Sequence, residues 1–531
     1  MSTKTTKYNA VLHRAIQTSL AGSLLLACMP AVSYALGVSL TPDTLVLTSS
    51  KYTGTASAIP ALLPSTNATT KIAAVTTSSA YPSVFLNAGA DASFGITSPI
   101  YLSLVNSTNG YVQKTIDLTA LAASKSLDFV TSFPSKSELS VNLSSDGVSA
   151  LTLVGYSTTS GLLDVSNSNT PGLIDTTNPT YGFSAPTYRN IMQLNNDGTW
   201  FLTNTNGYSG NNGRTAILDS TNNQYYMAGN AGNAGKPAPA ASVLAQLSSN
   251  TGVQTIAAGS TSPNTSVIGN LTADGQHGFT VNSINPLTGL VYGPSDKVGK
   301  DDNFRGATVY KGTMYVSKGS GGNGINTVYQ VGNVGDFGAG NLSGTSPITV
   351  LPGFPADLAS VAPTHYPFGM WFANPTTLYV ADEGGTKFPY AATGNEGIEK
   401  WVLNTTTGVW SNVYTLQNGL GLGVPYTVTG TALDGSTGSY TTTTGGVRHI
   451  VGSLHADGTV NLYATTSTVS DATIYGDQGA DPNRLVSIKD VVNATALPTT
   501  EKFTVLKTAA YGEVFRGVNI MPATHAFVLP K

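Results

Sequence analysis

The chain has 531 residues, of which only 10% are charged, with 58 glycines, 27 prolines, one cysteine and a formal net charge of −3. So few charges, with abundant Gly, Ser, Thr and Asn, exclude a chain of long amphipathic helices and predict many short strands joined by turns. No basic stripe is present to follow a nucleic-acid backbone, which excludes nucleic acid as a partner.

The first 35 residues read as an export signal. Lys4, Lys7 and Arg14 form a positive start, Ala15 to Ala27 is mostly apolar, and Pro30 precedes the small-x-small stretch Ser33-Tyr34-Ala35. Cleavage after Ala35 leaves 22 basic against 28 acidic residues in a mature chain of residues 36–531. The apolar run is too short to span a bilayer, and no later stretch reaches the roughly 20 apolar residues a membrane helix needs. The protein is therefore expected to be secreted or periplasmic. Leu25-Leu26-Ala27-Cys28 resembles a bacterial lipobox, whose reading is an outer-membrane lipoprotein anchored at Cys28. Either cut leaves a mature fold without a disulfide.

Downstream, hairpins recur with short polar turns. Ser144-Ser145-Asp146-Gly147 leads into Leu151 to Val154, and His455-Ala456-Asp457-Gly458 leads into Val460 to Tyr463. A second hairpin type alternates with the first. Its members are Ile100 to Leu118, Ile191 to Thr203, Val243 to Ile256 around Asn250-Thr251-Gly252, Ile398 to Leu416, and Leu485 to Leu506. Two hairpins in succession make a four-stranded blade, with starts near Pro82, Glu138, Arg214, Arg305, Phe368, Arg448 and Arg516. The fold class is all-β: a single seven-bladed β-propeller. The last blade holds only Gly517 to Leu529, and Thr44 to Ser50 with Lys71 to Val75 are expected to supply its outer strands, closing the ring and removing an exposed edge.

The meander puts the long connections on one face: Gly155 to Thr187, Ala258 to Asn303, Ala381 to Gly397, Gln417 to Gly446 and Thr465 to Asn483. Long loops on a rigid scaffold are where binding sits. Four innermost strands open on that face with an arginine, namely Arg214, Arg305, Arg448 and Arg516, which should converge at the mouth of the central channel. Their planar guanidinium forks suit carboxylate or phosphate. The plainer reading has each arginine pair with an acid of the next blade and staple the ring. His365 and His449 also fall near the mouth, though no nucleophile motif accompanies them. Asp301, Asp302, Asp382, Glu383, Asp477 and Asp481 lie on the same face and are the candidate ligands of a calcium ion, which takes six to eight oxygens. Gly319-Ser320-Gly321-Gly322-Asn323-Gly324 lacks the Lys-Ser/Thr and helix of a phosphate-binding loop and reads as a connection between strands.

Phe368-Gly369-Met370-Trp371-Phe372, followed by Leu378 to Gly384, resembles blades of the lactonase-like and NHL-type propellers, and Lys300 to Gly306 and Asp477 to Val486 resemble stretches of exported bacterial proteins without an assigned activity. The first resemblance implies a metal-dependent hydrolase with its site at the channel mouth; it transfers no ligand residue by residue, so the activity does not follow. The leading expectation is an exported scaffold that binds an anionic or sugar-like ligand, or a partner protein, at the mouth. A calcium-dependent hydrolase of a phosphoester or lactone is the alternative, and a structural surface protein the second.

Overall fold

A computed structural model describes residues 44–232, 241–269, 302–320, 324–356, 359, 365–385, 388–522 and 528–530. They belong to one compact unit, Leu40–Lys531. The export signal, Cys28, Asp301 and most of the connection between 258 and 303 lie outside the described residues.

Six antiparallel sheets are arranged as blades, each with strands A to D from the channel outwards. Blade two runs Asn142–Leu143, Ala150–Tyr156, Arg189–Asn195 and Trp200–Thr205. Blade three runs Gly213–Asp219, Gln224–Gly229, Gly252–Ala257 and Ser266–Ile268. Blade four comprises Gly306–Tyr310, Thr313–Lys318, Thr327–Val331 and Ile348–Val350, and blade five Pro367–Asn374, Thr377–Asp382, Gly397–Asn404 and Val409–Leu416. Blade six takes its strand A from the inner part of Thr437–Leu454, followed by Thr459–Val469, Arg484–Val491 and Thr504–Thr508.

The termini meet in blade one. Glu513–Ile520 is its strand A, Thr44–Lys51 pairs beside it as strand B, and Ile100–Asn106 and Val112–Asp117 complete it. Closure by the two ends is therefore as the sequence predicts, but the strand assignment differs. The segment Thr44–Lys51 is buried along nearly its whole length, which suits an inner strand covered on both faces, whereas Lys71–Ala73 is exposed and pairs only with Leu62–Pro64 in a small separate sheet. The hairpin Ile100 to Leu118 thus belongs to the closing blade, not to a blade of its own. Six blades, rather than seven, are found among the described residues.

Burial follows the ring. Each pair of neighbouring blades traps an apolar cluster: Val46 and Leu102 against Leu151 and Met192 between blades one and two, and so on round to Val451 and Tyr463 against Leu45 and Phe515 between six and one. Such faces are apolar on both sides of a sheet, which is why the inner strands read as near-continuous apolar runs. All six A strands line a central channel of about 470 Å³, with Asn142, Ile217, Thr308, Met370, Ile450 and Val518 each coming from a different blade.

One expected hairpin and one expected loop are built differently. Ala241–Ser248 is a short helix leading into strand C of blade three, so Asn250 to Gly252 ends a helix and does not turn a hairpin. Gln417 to Gly446 contains Pro425–Thr431, which pairs with Thr437 to Thr443 and extends blade six by a fifth strand.

Candidate functional site

The arginines at the strand A starts do reach the long-loop mouth of the channel, and the local sequence explains how. In Arg305-Gly306 and Arg516-Gly517 the glycine packs against the next blade: a Cβ on Gly306 would lie 2.3 Å from the carbonyl of Phe368, and one on Gly517 would lie 2.4 Å from that of Leu139. Neighbouring A strands can approach this closely only where a side chain is missing. The arginine before each glycine lies at the rim.

Each arginine binds the ring with part of its guanidinium. Arg214 Nη1 donates to the carbonyl of Phe304 (2.5 Å), linking blades three and four. Arg516 Nη2 donates to the carbonyls of Phe133 and Gly479 (both 2.7 Å). Arg448 Nε donates to Glu383 Oε2 (3.0 Å), and Lys136 Nζ donates to Glu383 Oε1 (2.8 Å). Arg305 Nη1 reaches Ser137 Oγ (3.0 Å), and its guanidinium lies 5.9 Å from the Phe368 ring centroid. Stapling is thus present in all four, but among the described residues it runs through a carboxylate only at Arg448. The Nε atoms of Arg214 and Arg305 and Nη2 of Arg448 are buried without a hydrogen-bond partner among the described residues.

Electrostatically the mouth is crowded with cations. Burial, then the Arg305 guanidinium, holds Arg214 well below the usual arginine range. Burial lowers Arg305 to about 10, with Glu383 opposing and Arg448 adding to the shift. Arg516 falls to about 9 through burial and then Arg448. Lys136 is lowered to about 8 by burial, against the attraction of Glu383. An anion placed among these groups would stabilise every charged form at once.

Arg214 and Arg305 open onto a cleft of about 510 Å³, walled by Ser93, Ser135, Asn167, Asn211 and Asn212 and edged by Asp91 and Asp477. The cleft is built from connections of blades one, two and six and from the strand A starts of blades three and four. Asp91 is buried and raised by that burial, in contact with the equally buried Asp164.

The predicted calcium ligands do not gather at one point. Asp302 is buried at the junction of blades three and four, where it accepts from Thr251 Oγ1 (3.2 Å). Asp477 accepts from the Gly479 backbone N–H (2.7 Å) and is raised by burial. Asp481 accepts hydroxyl donors from Tyr440, Thr442 (2.8 Å) and Ser470 (3.0 Å), and burial raises it to about 6. Glu383 is held below the usual carboxylate range by Lys136 and Arg448, which outweigh its burial. Asp382, though adjacent in sequence, faces away from this group and accepts from the backbone N–H groups of Tyr366 (2.6 Å) and Gly384 (2.7 Å).

The two histidines separate. His365 lies beside Asp382 and Glu399, with Nδ1 2.9 Å from Glu399 Oε1. His449 lines the channel below the mouth, and burial followed by Arg516 and Arg448 lowers it to about 3, so its ring is neutral. Sequence reading missed Lys136, Glu138, Arg189 and Glu399. Glu138 accepts from Tyr156 Oη, Thr131 Oγ1 (2.6 Å) and Asn212 Nδ2 (2.6 Å), while Arg189 is fully buried and donates to the carbonyls of Ser166, Ser168, Thr187 and Asn211, pinning the Gly155 to Thr187 connection. A charged residue at the first position of an otherwise buried strand, as in Arg189-Asn190-Ile191-Met192, is the signal that would have found it.

The fold and site define an all-β propeller with six blades among the described residues, closed by its termini, with a cation-rich cleft at the channel mouth. No protein-family model and no curated protein matches the chain. Among solved structures it is similar to a hypothetical selenium-binding protein from Sulfolobus tokodaii (9% identity, 91% of this chain and 94% of that one, TM-score 0.31) and to a protein from Lactobacillus plantarum (13%, 81% and 98%, 0.30). It is also similar to a polysaccharide lyase of family PL25, an ulvan lyase bound to -[GlcA(1-4)Rha3S]- (10%, 90% and 97%, 0.30). Likenesses this distant carry no argument about function; the fold rests on the sheet topology above.

Proposed function

We propose that the mouth cleft binds an anionic, polyhydroxylated ligand, an acidic sugar being the class that fits, and that the protein does so after export. The observation that carries this reading is the pair of buried Nε–H donors on Arg214 and Arg305, two residues of the cleft wall, that find no acceptor among the described residues. A buried donor left unpaired costs about 1–3 kcal/mol, which a ligand anion recovers. The serines and asparagines of the wall supply the donors and acceptors that hydroxyl groups need. A concave cleft of this size suits a small ligand better than a flat protein surface. The export half rests on Lys4, Lys7 and Arg14 before the apolar run. A calcium-dependent hydrolase has less support, because the acids expected to hold calcium are separated.

Calorimetry with uronic-acid oligosaccharides and their neutral counterparts tests the proposal. The acidic sugars are expected to bind and the neutral ones to bind at least tenfold more weakly. Arg305→Ala should weaken the acidic ligand about 10- to 100-fold, as a charge-assisted hydrogen bond of about 1.5–3 kcal/mol implies. Equal binding of neutral and acidic sugars, or no binding of either, overturns it.

A further inference from the structure

His365, Asp382 and Glu399 form a group separate from the mouth cleft. They come from three successive strands of blade five: His365 just before strand A, Asp382 at the end of strand B and Glu399 near the start of strand C. One ligand atom from each lies within 4.8 Å of the others. Both carboxylates are buried, and His365 keeps a fifth of its side chain exposed. We propose that this triad is a site for one divalent transition-metal ion, zinc or manganese in class, with a coordination position open towards solvent.

Three features support the assignment. A nitrogen and an oxygen each ~2.0–2.2 Å from one ion, at an angle of ~90–110°, lie ~2.9–3.5 Å apart; the observed His365 Nδ1 to Glu399 Oε1 distance of 2.9 Å is an edge of such a polyhedron. Groups outside the triad already orient its carboxylates, as around metal ligands generally: Trp401 Nε1 donates to Glu399 Oε2 (2.6 Å), and the Tyr366 and Gly384 N–H groups donate to Asp382. Finally, two adjacent buried carboxylates with an imidazole as partner want a further positive charge, which a divalent ion provides. The imidazole nitrogen selects zinc or manganese over calcium, whose ligands are oxygens.

The test uses the full chain, stripped with chelator, dialysed, and titrated with Zn²⁺, Mn²⁺ or Ca²⁺ alone, reading retained metal by mass spectrometry and affinity against a competing chelator. The expected result is one equivalent of zinc or manganese that is lost in His365→Ala, with affinity at least 100-fold lower, and calcium at least 100-fold weaker than zinc. Trp401→Phe, which removes only the outer hydrogen bond, should weaken zinc about tenfold. Should a variant misfold, Co²⁺ added to wild type gives an independent signature: visible bands of a nitrogen-containing low-coordinate site that Zn²⁺ displaces, and their absence overturns the proposal. A folded wild type that retains no metal, or retention unchanged in His365→Ala, overturns the proposal and leaves a proton-bridged network. Acidic-sugar binding in excess chelator should be unaffected, so failure at this site and failure at the mouth cleft are told apart.

Discussion

Glu383 forms direct ion pairs with two cations of the mouth, and its removal is the sharpest test of how the ring tolerates its cations. Its two oxygens contact Lys136 Nζ at 2.8 Å and Arg448 Nε at 3.0 Å, with the Glu383 side chain 1% exposed and that of Arg448 3%. At an effective dielectric of about 20 each contact near 3 Å is worth about 5–6 kcal/mol of attraction before solvation is charged against it. Glu383→Gln keeps the shape and one acceptor but strands the buried Arg448 and the half-buried Lys136, with Arg305 nearby adding to their repulsion. Removing one partner of a buried pair costs about 3–5 kcal/mol. For a unit of about 490 residues, with an unfolding entropy of about 2.1 cal/mol/K per residue, 1 kcal/mol corresponds to about 1 °C, so Tm should fall by about 3–5 °C. Calorimetric melts of wild type, Glu383→Gln and Glu383→Gln/Arg448→Met provide the measurement. The double variant should recover part of the loss, because one stranded charge is gone. If Glu383→Gln melts within 1 °C of wild type, the mouth cations do not depend on this carboxylate and the reasoning fails.

Two further outcomes follow from the same structure. Burial raises Asp481 from 3.8 to about 6, so the folded state holds a proton that the unfolded chain has released; stability from this group is full below pH ~4 and is lost as pH rises towards ~6. Relative to Asp481→Asn, wild type should therefore lose about 2 kcal/mol between pH 4 and pH 6.5 in urea titrations, and a difference that does not change with pH would refute the assignment. Deletion of residues 1–51 removes strand B of the closing blade, leaving Glu513–Ile520 without its partner and an open edge; the truncated chain should lose its cooperative melt, and a melt like that of the full chain would show that the ring does not close through this strand.

How an arginine can serve as a staple and also take the ligand role proposed above is a matter of donor arithmetic. A guanidinium carries five N–H donors in a fixed fork. Arg214 spends Nη1 on the Phe304 carbonyl and leaves Nε unpaired at the cleft wall. The sequence posed stapling and binding as alternatives, yet the rim geometry permits both on one side chain.

What was legible in the sequence was local. Turns such as Ser144 to Gly147 and His455 to Gly458 carry their own chemistry, so most hairpins were found where they occur, and the common phase of the arginines followed from strand starts. Closure by the termini was also legible, because the last blade ran out of chain. The number of blades was not: it turns on whether Thr44–Lys51 pairs with Glu513–Ile520 as the second strand, a contact across nearly the whole chain that no local signal encodes. The division of the acids was equally hidden. Asp382 and Glu383 are neighbours, but successive side chains at the end of an extended strand point to opposite sides. One meets His365 and Glu399 inside blade five, the other meets Lys136 and Arg448 at the channel mouth, and only the packing of one blade against the rest decides which company each keeps.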